Sequence, residues 1–210
     1  LKTKQNKMSS KTAICNKALR RLGISQAILN VDTDNTTQSS ILKSSYDEVL
    51  ESVLRMHNWN FATFRQSLNI DTSKTISYGY KNAYVLPTIP KFLKLTSIEG
   101  NQPFSIENDY ILTDASSLKI SFIGKVTDVN KYDSLFIDCF ALKLAYEVGF
   151  ALTESRALVG EIGEEFLQML KASSSKDNQE KSLSSSEGMG ISSFNQARTN
   201  GFNIQVNTTT

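Results

Sequence analysis

The sequence predicts an α+β protein: an antiparallel bundle of about four helices, a small antiparallel β module inserted into it, and an extended C-terminal tail. Three observations predict this. Apolar residues recur at helical spacing in residues 10–60 and again in 129–172. Between these stretches, residues 61–128 change to short alternating runs and hold all three prolines, Pro87, Pro90 and Pro103. Beyond Ala172 the composition turns serine-rich, with a few scattered hydrophobic residues.

The first helix is expected from about Ser10 to Leu22. Ala13, Ile14, Ala18 and Leu22 fall at helical spacing, and Cys15 and Leu19 widen the stripe. Ser9 or Ser10 is placed to cap its start and Gly23 to end it. A turn-rich stretch, Asn30 to Thr37, leads into a longer helix from about Thr37 to His57. Leu42, Tyr46, Val49 and Val53 make one face of it, broadened by Ile41, Leu50 and Leu54. Asp47, Glu48 and Glu51 lie opposite. Such a wide apolar face suits a bundle.

In the β module the expected strands are Tyr84–Leu86, Phe92–Ile98, Tyr110–Thr113 and Lys119–Ile123. Tyr78-Gly79, Glu99-Gly100-Asn101 and Asp114-Ala115-Ser116 are the turn signals between them. Helical spacing returns after Asp133, a suitable N-cap. Leu135, Phe136, Cys139, Leu142, Ala145, Tyr146 and Phe150 predict a nearly buried helix to about Leu152. After the break Thr153-Glu154-Ser155, a fourth helix is expected from about Ser155 to Ala172, carrying Leu158, Ile162, Phe166, Met169 and Leu170. The short connection implies antiparallel neighbours.

Residues 173–210 form the tail. Nine of them are serine and their six charges cancel. Ile191, Phe194, Phe202, Ile204 and Val206 stand out as hydrophobic, and Ile204 and Val206 flank Gln205 in a strand-like alternation. A segment that cannot build its own core is best ordered by a neighbour, through strand addition or groove docking. The partner-binding candidates are therefore Ile191, Phe194, Arg198, Phe202, Ile204 and Val206.

At 210 residues, 40% hydrophobic and 21% charged, the chain is neither wholly disordered nor a coiled-coil rod. No uncharged apolar run reaches the ~18 residues of a membrane span. Leu1 to Lys11 lacks the apolar region of a secretory signal, and with Met8 inside, residues 1–7 read as an unusual start. Net charge is +2, yet residues 1–31 carry seven basic residues and no acid, which leaves −5 for the remainder. Residues 1–9 read as a basic arm, and Lys2, Lys4, Lys7 and Lys11 are candidates for contact with phosphate or an acidic partner.

Catalytic chemistry is thinly represented. Gly160-Glu161-Ile162-Gly163 lies in a helical pattern and lacks the lysine and hydroxyl residue of a phosphate loop, and Gly188-Met189-Gly190 follows no strand. His57 is the single histidine, and Cys15 and Cys139 read as core. The carboxylate pairs Asp47/Glu51, Glu161/Glu165 and Glu164/Glu165 sit on polar helix faces, solvated by default. No metal, cofactor or catalytic group is expected.

Four segments carry a resemblance. They are Ala13-Ile14-Cys15-Asn16-Lys17-Ala18-Leu19 with Leu22-Gly23; Trp59-Asn60-Phe61-Ala62 with Arg65 and Leu68; Gly79-Tyr80 with Tyr84-Val85-Leu86-Pro87; and Asp133-Ser134-Leu135-Phe136 with Ala141, Leu144-Ala145 and Thr153. In this order they resemble the tail tubular protein A family of short-tailed bacteriophages, the head-to-tail adaptor, over roughly residues 10–172. The family tends to place an aspartate shortly after the proline matching Pro87, where this chain has Thr88-Ile89-Pro90.

The resemblance implies a non-enzymatic virion protein of the phage neck, assembled in the host cytoplasm. It implies a ring, twelvefold in the family, between the capsid portal and the tubular tail nozzle. Such a ring extends the DNA ejection channel and offers outer surface to tail fibres, with non-specific contact to packaged DNA. Trp59, Phe61, Arg65, Tyr80, Tyr84 and Pro87 are motif positions for which packing roles are expected. Trp59, Phe61 and Phe64 are expected to close the bundle against the β module. The competing readings are a tail-borne cell-wall hydrolase using Glu161, Glu164 and Glu165, and a small nucleic-acid-binding module working through the basic arm.

Overall fold

A computed structural model of the chain describes residues 10–186, with side chains as far as Ser173. The fold is mixed α+β, with four helices and two three-stranded antiparallel sheets.

Helix α1 (Lys11–Arg21) starts where the Ser10 hydroxyl accepts a hydrogen bond from the Ala13 N–H at 3.0 Å. It ends at Gly23, whose φ of 73° lets the Ile24 N–H reach back to the Leu19 carbonyl at 3.0 Å. Ile14, Cys15, Ala18, Leu19 and Leu22 are buried. Ala13, expected on this face, is exposed. It precedes the Ile14–Ala18 row by one residue, which turns it about 100° toward solvent.

Helix α2 (Thr37–Met56) is capped by the Thr36 hydroxyl, which accepts from the Ser39 N–H at 3.2 Å. It buries the row expected from the sequence: Leu42, Tyr46, Val49, Leu50, Val53 and Leu54. The loop between α1 and α2 is pinned by side chains. Asn16 of α1 donates to the Ile28 carbonyl and accepts from the Ile28 N–H, both at 2.8 Å. The buried Ser39 hydroxyl donates to the Val31 carbonyl at 2.8 Å.

The insertion holds six strands: β1 (Thr63–Leu68), β2 (Asn82–Val85), β3 (Phe92–Ile98), β4 (Phe104–Glu107), β5 (Tyr110–Thr113) and β6 (Leu118–Gly124). One sheet has the order β1-β6-β3 and the other β2-β5-β4. Two of these strands, β1 and β4, go beyond the sequence expectation. In β1 Phe64 and Leu68 stand opposite Phe122 and Leu118, and between them the exposed Gln66, opposite Ile120, interrupts the apolar alternation. Strand β4 is only four residues long, between Pro103 and a two-residue turn where Asn108 takes a φ of 51°. Leu68, Tyr84, Ile111, Leu118, Ile120 and Phe122 form the buried core of the insertion.

Helix α3 (Ser134–Thr153) begins at Asp133, whose carboxylate accepts from the Leu135 N–H at 2.9 Å. It is buried on most sides, through Phe136, Cys139, Phe140, Ala141, Leu142, Leu144, Ala145 and Val148. Tyr146 and Phe150 depart from the expectation of burial, being 39% and 49% exposed. Cations cover them instead: Lys143 lies 4.8 Å from the Tyr146 ring centre and Arg156 lies 5.5 Å from that of Phe150.

Helix α4 (Arg156–Ser186) adds Ile162 and Phe166 to the helical core. It continues past Ala172, so residues 173–186, expected in the extended tail, are helical. The physical reason is that no glycine or proline interrupts the backbone between Ala172 and Gly188. Packing divides the chain into residues 1–173 and 174–210. Residues 1–9 and 187–210 lie outside the described residues, and with them Lys2, Lys4, Lys7, Ile191, Phe194, Arg198, Phe202, Ile204 and Val206. No helix among the described residues is long and apolar enough to cross a membrane.

Close approach of α3 to α4 and α1 depends on a missing side chain. A Cβ placed at Gly149 would lie 2.9 Å from Val159 Cγ2 and 3.0 Å from Leu22 Cδ2. A Cβ at Gly160, also helical, would meet nothing within 4 Å. Gly149→Ala is therefore expected to destabilise the fold by about 1–3 kcal/mol through overpacking. Gly160→Ala is expected to stabilise it by up to about 1 kcal/mol through helix propensity. Urea unfolding of the two variants checks both signs.

Candidate interaction surface

The insertion is seated on the helices by an aromatic chain. Trp59, fully buried, donates its indole N–H to the Val53 carbonyl at 3.0 Å and meets Phe136 edge-on, ring centres 5.0 Å apart. Phe61 packs against both Phe136 and Tyr132, at 4.9 and 5.6 Å. Phe64, at the start of β1, touches the helical core and the sheet core alike. Its ring lies so close to Gly124 that a Cβ there would fall 2.9 Å from Phe64 Cδ2.

An ion-pair clamp stands beside this chain. Glu51 of α2 accepts from Lys91, at 2.9 Å, and pairs with Lys125, at 3.1 Å. Lys91 precedes β3 and Lys125 follows β6, so one carboxylate holds two neighbouring segments of the insertion. Hydrogen bonding from Lys91, with help from Lys125, keeps the Glu51 carboxyl below its ordinary pKa against the opposing effect of burial.

This seating leaves one side of the insertion open. Strand β3 ends one sheet and β4 ends the other. Between them runs a groove of about 790 Å³, floored by Phe92, Leu95 and Ile98 of β3 and by Phe104 and Ile106 of β4. Phe104 and Ile106 share a sheet face with the buried Tyr84 and Ile111, since Ile106 pairs with Ile111 and Ile111 with Tyr84. On that face an apolar residue ordinarily meets the facing sheet. Here Phe104 and Ile106 remain 42% and 43% exposed. Thr96, whose shielded hydroxyl has no hydrogen-bond partner, lines the same groove. Strand β3 is irregular, with register shifts between Phe92 and Lys94 and between Leu95 and Ser97.

The opposite face of the β1-β6-β3 sheet is divided. Leu93 and Ile123 enter the helical core. Farther along, Arg65, Ser67, Ser97, Lys119 and Ser121 line a polar hollow of about 450 Å³. Lys119 there pairs with Glu99 at 2.9 Å.

The motif residues are not gathered into one site. Trp59 and Phe61 belong to the helical core, as expected. Tyr84 is buried in the sheet core, its hydroxyl donating to the Ala115 carbonyl at 2.7 Å. Tyr80 is half-buried, and Arg65 is exposed beside the polar hollow. Pro87 is buried two residues beyond β2, and its carbonyl accepts from the Phe92 N–H at 3.0 Å. Lys11 is engaged within the fold, paired with Asp32 at 2.8 Å and lying 5.0 Å from the Tyr46 ring centre.

Of the carboxylates considered for hydrolysis, Glu165 is held by Arg21 at 2.6 Å, while Glu161 and Glu164 are exposed on α4. Among the described residues, no group of three or more His, Cys, Asp or Glu is placed to hold a metal ion. His57 follows α2 and meets Trp59 edge-on, ring centres 4.9 Å apart. The groove itself went unpredicted from sequence. The signal present was the alternation Phe104-Ser105-Ile106-Glu107, whose two apolar residues mark one face of a short strand.

Two outcomes test this geometry. Because the folded Glu51 has the lower pKa, its contribution is complete above the unfolded glutamate value, about 4.3, and fades as pH falls through the folded value. Glu51→Gln is expected to cost roughly 1 kcal/mol at neutral pH and to flatten the acid limb of stability against pH, measured by denaturant titration. Second, burial pushes the Cys15 thiol up to about 12 and raises Cys139 as well. Both thiols are expected to react with a thiol reagent only when the protein is unfolded, which absorbance of the released chromophore reads directly.

No protein-family model matches the chain, and no curated protein matches it.

Proposed function

We propose that the chain is a structural adaptor of a short-tailed bacteriophage, a ring-forming piece of the neck between the portal and the tail nozzle, working without catalysis. The observation that carries this reading is the open groove, where Phe104 and Ile106 stand exposed on a face that ordinarily lies covered. The ordered resemblance of four segments adds to it. So does the way two motif residues, Trp59 and Phe61, seat the insertion on the helices while Tyr84 fills its sheet core.

In this reading α1 to α4 form an antiparallel bundle that carries the ring, and the insertion presents contact surface. A closed ring needs head-to-tail contacts, so each copy offers two unlike faces. Residues beyond the described end of α4 form a tail ordered by the portal or a neighbouring copy. Its contact residues are Ile191, Phe194, Arg198, Phe202, Ile204 and Val206. Lys2, Lys4 and Lys7 lie near phosphate of the packaged DNA or near an acidic partner. The nozzle and the fibres are the remaining partners.

Electron microscopy of the purified chain mixed with a portal ring is expected to show an added ring of this protein, twelvefold by the resemblance. Deleting residues 187–210 is expected to leave helix content and unfolding unchanged while abolishing the added ring. A truncated chain that still caps the portal would overturn the anchoring role of the tail.

A further inference from the structure

We infer that the groove between β3 and β4 receives the segment Phe202-Asn203-Ile204-Gln205-Val206 of a neighbouring copy, laid in as an added strand. The inference rests on the ring reading and names one of its contacts.

Three features of the groove ask for a strand. It is bounded by the end strand of each sheet, the place where a further strand can pair. Its lining carries five apolar side chains, Phe92, Leu95, Ile98, Phe104 and Ile106, beside the charged Arg55, Lys94 and Asp109. Thr96 adds a shielded hydroxyl without a partner, which a backbone group of an entering strand can satisfy.

The occupant is argued from the chain beyond α4. Described helix ends at Ser186, and residues 187–210 follow it. Within them, Phe202, Ile204 and Val206 alternate with Asn203 and Gln205, so one face of an extended segment is wholly apolar and the other polar. From Thr199 to Thr210 no side chain is charged and no proline occurs. The segment can therefore lie along those apolar side chains without burying a charge of its own, and every residue keeps its N–H for pairing. Five extended residues span about 16 Å, a fair match to the four-residue β4. The neighbouring copy is the donor because a ring needs two unlike, complementary faces on each subunit, and groove and strand supply them.

Two chains, each full length, each with one introduced cysteine and each bearing a different tag, give the test. One carries Ile106→Cys in the groove and the other Ile204→Cys; the native thiols are buried. Mixed at high concentration under mild oxidation, they are expected to give a disulfide-linked mixed dimer. The dimer should be lost when Ile204→Cys is replaced by Gln205→Cys, which the alternation turns away from the groove. It should also be lost when the groove partner carries Phe104→Asp. Equal dimer from the Ile204 and Gln205 cysteines, or none from either, overturns the inference. A double variant, Ile106→Cys with Ile204→Cys, that closes only within one chain overturns the neighbouring copy as donor. Rings on the portal without the mixed dimer sink this contact alone. Register-specific mixed dimer without rings leaves the contact standing and sinks the adaptor reading.

Discussion

Phe64 is shared by two cores, and the placement of the insertion follows from that. Its ring packs under the helical core on one side and against Phe122 on the other, centres 5.9 Å apart. Around it Trp59, Phe61, Tyr132 and Phe136 form a continuous aromatic contact with the helices. Aromatic rings bury large area in fixed geometry, so the junction resists sliding. Glu51, with Lys91 and Lys125, adds a charged contact near the same edge. The groove opens between β3 and β4 and takes Arg55 of α2 and Leu93 of the helical core into its lining.

The helices were largely legible in the sequence because their cues are local. Ser10, Thr36 and Asp133 act as caps, Gly23 closes α1, and the buried row of α2 follows its period. Strands β3 and β5 also match the expected ranges, since turn signals bound both runs. Strand β1 was hidden because Gln66 interrupts its apolar alternation, and β4 because four residues make a weak periodic signal. The division into two sheets was beyond local cues, since it depends on which strands meet across the insertion.

The site was less legible for a related reason. A groove exists where two strand ends fail to be covered, and that is a property of pairing order rather than of any run of residues. Asn16 illustrates the same limit within a helix. Its amide holds both backbone groups of Ile28, a role that follows only once the loop has folded back on α1. Tyr146 and Phe150 show it again, because cation contact on α3 substitutes for the burial that their spacing suggests.

The pairing of β1 with β6 also bears on the order in which the molecule assembles itself. Thr63 must find Ile123, and Leu68 must find Leu118, across everything that lies between. The β4–β5 hairpin, closed by Asn108-Asp109, needs only its own neighbours. Chain closure over a long span costs entropy before it returns any contact, whereas a tight turn costs little. On a growing polypeptide the first strand of the insertion therefore waits, unpaired, until the last has been made.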